Sequence, residues 1–235
     1  MKKNNKTVLY GILQALRLQY IINLRCILAI KERQQEVFIM SKGSRKNDIV
    51  KLVGVGLFTA IVVVLQFLGS FIKLGPFSVS LVLVPIVIGA ALYGRTAGAW
   101  LGFVFSVVVL LQPDTTLFYQ ANFAGTIITV LLKGTLAGLL AGVVYKAIEK
   151  KNVTLAVIAA AFTCPVVNTG VFLLGSLVFF MDTITAWANG TNVFVFMIVG
   201  LVGFNFLFEL AVNMLLSPVI VRLIQVGTKA KIKSV

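Results

Sequence analysis

Six long apolar segments constrain the fold of this chain more than any other feature of its sequence. A helix needs about 20 mostly apolar residues to cross a bilayer, and the segments range from 15 to 29 residues. Short polar or proline-containing stretches separate them. We therefore predict an all-α integral membrane protein with six transmembrane helices. The predicted spans are Val50–Ser70, Val79–Tyr93, Ala97–Gln112, Asn122–Val144, Val153–Phe180 and Val193–Val221.

The composition agrees with a membrane location. Hydrophobic residues make up 59% of the chain and charged residues only 12%, whereas about a quarter of the residues of a soluble domain are charged. The net charge is +14, but the basic residues lie at the N-terminus and between apolar segments, without the interleaved aromatics of a nucleic-acid surface. We therefore predict lipid, and not nucleic acid, as the partner of these charges.

The distribution of basic residues between the segments predicts the orientation. If the N-terminus is cytoplasmic, the cytoplasmic stretches hold nine basic residues and the opposite loops hold only Lys73. Such a bias requires an even number of spans and places both termini in the cytoplasm. The nine residues are Lys51, Arg95, Lys146, Lys150, Lys151, Arg222, Lys229, Lys231 and Lys233.

The first 49 residues form a separate region with ten of the 21 Lys and Arg residues. Its apolar stretch, Val8–Ile30, contains Arg17 and Arg25, and a charge at the centre of a span costs about 2.5–3.5 kcal/mol. We predict neither a span nor a signal peptide here. Two interpretations stay open: a surface-lying amphipathic helix, or a non-native extension upstream of a start at Met40. Residues 50–226 are then the membrane domain, and residues 227–235 a basic cytoplasmic tail.

Several enzyme classes are excluded by the residue types. The chain has no histidine, which removes His-based acid–base catalysis and His-ligated metals. Cys26 and Cys164 do not have a metal-ligand spacing, and no phosphate-binding loop is present. We therefore predict no catalytic residue, no metal site and no cofactor.

Small residues recur at every fourth position in three segments, which allows helix backbones to approach closely in lipid. For the fourth segment we favour internal packing, and for the first, internal packing and docking on another membrane subunit both stay open. The repeats are Gly134, Gly138 and Gly142; Gly98 and Gly102; and Gly56 and Ala60.

Two ionisable residues, Lys133 and Glu209, lie well inside predicted spans, where lipid makes charges costly and function is the usual reason for them. They either pair with each other or line a pocket in which Lys133 binds an anionic group. Asn205 shares a helix face with Glu209, and Asn168 follows Pro165, where we expect a loosened backbone beside a cavity. The predicted substrate-binding residues are Lys133, Asn168, Asn205, Glu209, Asn122, Thr126, Tyr119 and Phe172.

The loops opposite the basic side are rich in aromatic residues. Phe71–Phe77, Leu117–Gln120 and Trp187 suit either an interfacial aromatic belt or a lid that excludes water from a bound ligand.

Four glycine- and proline-rich motifs carry a resemblance to a known family. Leu74–Phe77, Pro85–Gly98, Lys133–Gly138 and Pro165–Gly170 resemble the substrate-binding S components of energy-coupling factor (ECF) vitamin transporters, over about residues 51–226. The resemblance implies a riboflavin-transporter-like bundle of six helices in the bacterial cytoplasmic membrane, with a vitamin pocket near the outer face. Pantothenate is the best match, with riboflavin, folate and cobalamin as alternatives.

The same resemblance implies partners: a transmembrane coupling subunit and two ATP-binding cassette ATPases. In the family, an Ala-x-x-x-Ala motif on the first helix docks on the coupling subunit. Here that position reads Gly56 to Ala60, and Ala60 to Val64 is an alternative frame. A different function class also stays open, a stand-alone proton-coupled transporter that uses Glu209 and Lys133.

Overall fold

The computed structural model describes residues 48–71, 73–74, 77–78 and 80–233, with side chains given between 48 and 71 and between 80 and 226. Most of the predicted N-terminal region, including Val8–Ile30 and Met40, lies outside the described residues, as do Gly75 and Pro76. The helices are α1 (Asp48–Gly69), α2 (Leu83–Tyr93), α3 (Arg95–Leu110), α4 (Thr116–Ala121), α5 (Phe123–Ile148), α6 (Val153–Phe179), α7 (Met181–Ala188), α8 (Val193–Val195) and α9 (Phe204–Lys233).

Three short elements complete the described chain. A 3₁₀ turn, Pro113–Thr115, precedes α4, and a π-helical segment, Phe196–Gly203, joins α8 to α9 without a break. Strands β1 (Lys73–Leu74) and β2 (Phe77–Ser78) form a two-residue antiparallel hairpin with Lys73 opposite Ser78. Apart from this hairpin the ordered elements are helical, as predicted.

Four helical stretches within the described residues are long and apolar enough to cross a bilayer: α1, α5, α6 and the run Val193–Val226. A fifth is obtained if α3 and Pro113–Ala121, which are bent by 75° from one another, count as one span. Helix α2 is apolar but has only 11 residues, about 16 Å of rise, which is too short to cross alone. The number of six spans and the cytoplasmic termini therefore stay predictions.

Helix α2 lies at the centre of the packing. It contacts α3, α5, α6 and α9, and its Leu83, Ile86 and Val87 are almost completely buried. Leu101 and Phe105 on α3 are also fully buried in this core. A glycine with a φ of 93°, Gly94, ends α2 and allows α3 to start at the next residue. This break separates the two apolar segments that the sequence predicts as distinct helices.

Helices α3 and α5 touch through their backbones. A Cβ atom on Gly98 would collide with the carbonyl oxygen of Gly138, and one on Gly102 with that of Gly134. The collisions are reciprocal, since a Cβ on Gly138 would meet the Gly98 carbonyl. The glycine repeat of α5 is therefore used for internal packing, as predicted.

Helix α1 is attached to the segment that follows α3 by a pair of buried glutamines. Gln66 Nε2 donates to Gln112 Oε1 at 3.0 Å, and Gln112 Nε2 donates to the backbone oxygen of Gln66 at 3.1 Å. The rest of α1 is loosely covered: 17% of its most apolar stretch is buried, compared with 39% in α5 and α6. One face of α1 is thus held by the bundle and the other is open.

An aromatic cluster closes the bundle beyond the end of α3. The ring of Phe118 on α4 lies 5.7 Å from that of Phe172, 5.2 Å from Phe180 and 5.6 Å from Trp187, each in an edge-to-face arrangement. These contacts join α4, α6 and α7, and such geometries are favoured for aromatic pairs. The two short helices are thereby fixed over the same end of the bundle.

The glycine contact makes a stability prediction. Gly138→Ala places a methyl group against a backbone carbonyl that cannot rotate away, so we expect a loss of about 1–3 kcal/mol from overpacking. Gly170→Ala is the matched control, since a Cβ there has nothing within 4 Å and alanine has the higher helix propensity. Thermal unfolding of both purified variants in detergent measures the difference, and equal unfolding temperatures would contradict the close contact.

A second stability prediction concerns the glutamine pair. Gln112→Leu removes both hydrogen bonds to Gln66 and leaves a buried amide unsatisfied, so we expect a loss of about 1–3 kcal/mol. Gln120→Leu, at an exposed position of α4, is the control and should unfold like the unmodified chain. The double variant Gln66→Leu with Gln112→Leu should recover part of the loss in the same thermal measurement. A Gln112→Leu protein as stable as the control would show that the pair does not hold α1.

Candidate ligand-binding cavity

A cavity of about 80 Å³ lies between α1, α3, α5, α6 and α9, at the end of the bundle covered by the aromatic cluster. Its lining contains two glutamines near helix ends, polar residues from the middle of α5 and α6 and from the first turns of α9, and two rings of the aromatic cluster. The lining residues are Gln66, Ser80, Val109, Gln112, Asp114, Thr115, Phe118, Lys133, Asn168, Thr169, Phe172, Val202, Asn205 and Glu209.

The carboxylate of Glu209 is held by donors from separate parts of the chain. Its Oε1 accepts from the backbone N–H of Ser80 at 3.2 Å and from Asn205 Nδ2 at 3.3 Å, and the Asn168 side chain also bonds to it. Glu209 is only 2% exposed. A charge so far from water requires such partners, so Glu209 ties α6 and the start of the α2 segment to α9.

The ammonium group of Lys133 faces aromatic rings and the cavity. Its Nζ lies 5.9 Å from the centroid of Phe105 and 5.4 Å from that of Phe172, within the range of cation–π attraction. Its charge interacts with that of Glu209, but within the described residues the two form no direct salt bridge, and Lys133 donates no hydrogen bond to a described side chain. As far as the described side chains go, the three donors of this ammonium group are unused and are left for a ligand or for water.

Within the described part of the chain, three buried amide oxygens on the cavity wall have no hydrogen bond: Gln66 Oε1, Asn168 Oδ1 and Asn205 Oδ1. A buried polar atom without a partner costs about 1–3 kcal/mol, and such atoms are rare in proteins. Water or a ligand with O–H or N–H groups satisfies them. The cavity thus presents one ammonium group and several acceptors to whatever occupies it.

The structure brings together five of the eight predicted substrate-binding residues, namely Lys133, Asn168, Asn205, Glu209 and Phe172. Their assignment to a ligand stays a prediction. Asn213, on the same helix face as Glu209, donates instead to the backbone oxygen of Glu209 at 2.8 Å.

The other three predicted residues do not line the cavity. Asn122 caps α5, with its Oδ1 accepting from the N–H of Gly125 at 2.8 Å. Thr126 Oγ1 donates to the backbone oxygen of Asn122 at 2.7 Å, and the Tyr119 hydroxyl donates to that of Leu110 at 2.9 Å. In this structure all three therefore bond to nearby backbone, and a contact with a ligand stays a prediction for them.

Several lining residues were missed by the sequence interpretation. Gln66 and Gln112 carried a usable signal, since each is an amide near the end of an apolar segment, where polar side chains face a partner or a cavity. Ser80 carried none, because its contact with Glu209 joins residues that lie 129 positions apart in the chain.

The irregular backbone also lies elsewhere than expected. Helix α6 continues through Pro165, since proline removes only one backbone donor and a helix tolerates this in a membrane. The π-helical segment Phe196–Gly203 is the irregular stretch instead, and its Val202 lines the cavity. Such segments are often found at functional sites.

The predicted docking pair lies on the open face of α1. Gly56 and Ala60 are exposed, and a Cβ on Gly56 has nothing within 4 Å. Gly54 is different, because a Cβ there would collide with the side chain of Tyr93 on α2. The two faces of α1 are therefore distinct, with Gly54 and Gln66 turned to the bundle.

The comparison with known families agrees with these features. A family model described as the ECF transporter substrate-specific component matches residues 50–221, a stretch that contains every residue of the cavity wall. No curated protein and no solved structure matches the chain. The family and the long apolar helices together indicate a multi-pass membrane protein that serves as a transporter subunit. The chain belongs to the family of substrate-specific components of ECF transporters.

Proposed function

We propose that this chain captures a water-soluble vitamin at the outer face of a bacterial cytoplasmic membrane and delivers it together with a transmembrane coupling subunit and two ATP-binding cassette ATPases. The observation that carries the proposal is the cavity between the spans, whose wall contains both Lys133 and the buried amide oxygens of Gln66, Asn168 and Asn205. The bias of basic residues supports six spans with both termini in the cytoplasm.

The chemistry of the cavity wall favours a ligand with a carboxylate and several hydrogen-bond donors. A carboxylate accepts charge-assisted hydrogen bonds from the Lys133 ammonium. Hydroxyl or amide groups donate to the free oxygens of Gln66, Asn168 and Asn205. Glu209 already has donors from the protein, so its charge is compensated before a ligand arrives. Pantothenate has this combination of groups, and riboflavin, folate and cobalamin are the alternatives.

Helix α1 is the proposed contact with the coupling subunit. Its open face carries Gly56 and Ala60 with exposed Val53, Leu57 and Val64 around them. Small residues one turn apart allow a second helix to approach to backbone distance. The low burial of α1, 17% over its most apolar stretch, leaves this face accessible to a partner helix.

The first experiment is a calorimetric and thermal-shift screen of the purified chain against pantothenate, riboflavin, folate, thiamine, biotin and cobalamin. We expect one vitamin to bind and to stabilise the chain by about 4 kcal/mol at a thousandfold excess over its Kd. Lys133→Met should weaken this binding about 10- to 150-fold, because a charged hydrogen bond contributes about 1.5–3 kcal/mol. Lys146→Met is the matched control on α5, since Lys146 is exposed and pairs with Glu149 at 3.8 Å.

The outcomes of this screen separate the two function classes. Equal losses in Lys133→Met and Lys146→Met would remove Lys133 from the site. If no vitamin binds, and the chain alone in vesicles transports a solute along a pH gradient that Glu209→Gln abolishes, the proton-coupled alternative replaces the proposal. The observation that favours this alternative is that Glu209 and Lys133, the proposed proton carrier and its charge partner, line the same cavity.

The docking face is tested by copurification with the coupling subunit from the same genome. Gly56→Phe places a large ring on the surface that a second helix would approach. We therefore expect the amount of copurified coupling subunit to fall at least tenfold. Val178→Phe places the same side chain on the exposed surface of α6 and should leave the recovery as in the unmodified chain. Thermal unfolding of both variants verifies that they fold, and equal recoveries would show that docking uses another surface.

A further inference from the structure

A second, larger depression lies next to the cavity, on the surface of the bundle between α6 and the last span. It encloses about 600 Å³, several times the volume of the cavity, and we call it the groove. Its α6 side includes Val166, Gly170 and Leu173, and its other side is formed by the π-helical segment and the start of α9. The lining is almost entirely apolar.

The groove and the cavity are neighbours that share part of their walls. Thr169 and Val202 line both, so these two side chains are common to the polar and the apolar compartment. The sharing follows from the fold, because Thr169 is next to Asn168 on α6, and Val202 lies three residues before Asn205.

Two glycines keep the groove open. A Cβ on Gly170 meets nothing within 4 Å, so the space beside it is empty. A Cβ on Gly203 would lie 2.9 Å from the backbone oxygen of Ile198, which excludes larger residues from the end of the π-helical segment. Outward from these glycines, Val199 and Leu207 are more than half exposed, so the groove opens toward the acyl chains of the bilayer.

The cavity alone is small for a ligand of vitamin size, since ligand pockets usually measure about 300–1,000 Å³. We propose that the substrate has two parts: a polar head with a carboxylate and a hydrogen-bond donor in the cavity, and an apolar tail in the groove past Thr169 and Val202. This deepens the proposed function and rests on its claim that the cavity holds the substrate. Among the vitamins of the proposed function, it narrows the substrate class to carboxylates with an apolar part, which biotin has and pantothenate lacks.

The test uses a matched series of 2-hydroxy acids on the full chain in lipid nanodiscs: 2-hydroxypropanoate, 2-hydroxyhexanoate and 2-hydroxydecanoate. Their free concentrations are measured by dialysis against empty nanodiscs, which corrects for partition into lipid. Each methylene that leaves water strengthens binding about fourfold. From the six- to the ten-carbon acid we therefore expect a gain in affinity of up to about 200-fold.

Two variants test whether the increase in affinity with chain length arises in the groove. Gly170→Phe fills the groove without a clash at Cβ and should reduce the gain below about fivefold. Val178→Phe puts the same ring elsewhere on α6, outside the groove, and should keep the full gain. Thermal unfolding verifies that both variants are folded.

The inference is overturned if none of the three acids binds, if affinity does not rise with chain length, or if Gly170→Phe keeps the full gain. It is also overturned if native mass spectrometry finds a phospholipid bound to the unmodified chain and lost in Gly170→Phe while chain length has no effect, since the groove then holds a structural lipid. A vitamin that binds in a Lys133-dependent way without any chain-length gain would leave the proposed function intact and remove only the groove. If affinity rises with chain length in a Gly170-dependent way but no vitamin binds, the groove is retained and the vitamin assignment is removed.

Discussion

The backbone contact between α3 and α5 is the interaction on which the rest of the structure depends. Apolar side chains gain little by leaving lipid for a protein interior, so close packing must hold membrane helices together. Gly98 and Gly102 against Gly138 and Gly134 give the closest packing that two helices allow. With α3 and α5 in contact, α2 is buried across them, and Lys133, one residue before Gly134, is fixed at the cavity.

The cavity is formed where this close packing ends. Toward the end of α3 the small glycines give way to larger residues, among them the fully buried Phe105 and the cavity-lining Val109. Side chains from α1, α6 and α9 then line the space, and most of them are polar. Glu209 is the connection between these parts, because its carboxylate bonds to the backbone of Ser80 directly after the β1–β2 hairpin segment. A ligand that contacts Glu209 is therefore connected to the segment before α2 through the hydrogen bond between Glu209 and Ser80.

Much of the fold could be predicted from the sequence, because the signals are local. Apolar length marks the helices, Gly94 marks the break between α2 and α3, and the four-residue repeat of glycines marks the α3–α5 contact. Lys133 and Glu209 could be recognised as candidate functional residues, because a charged side chain inside a membrane span is energetically costly. The Gln66–Gln112 pair, the Ser80 contact and the π-helical segment were not predicted, since each depends on residues that only the tertiary packing brings together. Asn122 illustrates why a polar residue at the start of a span is ambiguous in a sequence. It was predicted to bind a ligand, and in the structure its side chain caps its own helix.

Helix α1 links the two surfaces that a capture subunit needs. Gln66 reaches the cavity wall and bonds to Gln112, whereas Gly56 and Ala60, two to three turns earlier, lie on the open face. A rigid helix carries a displacement along its whole length, so a shift of Gln66 on ligand binding would also move the face proposed for docking. The same helix is weakly held elsewhere, with Trp100 Nε1 donating to Thr59 Oγ1 at 3.2 Å on an exposed surface. The low burial of α1 would leave it free to move with the cavity, so that the state of the cavity and the position of the proposed docking face change together.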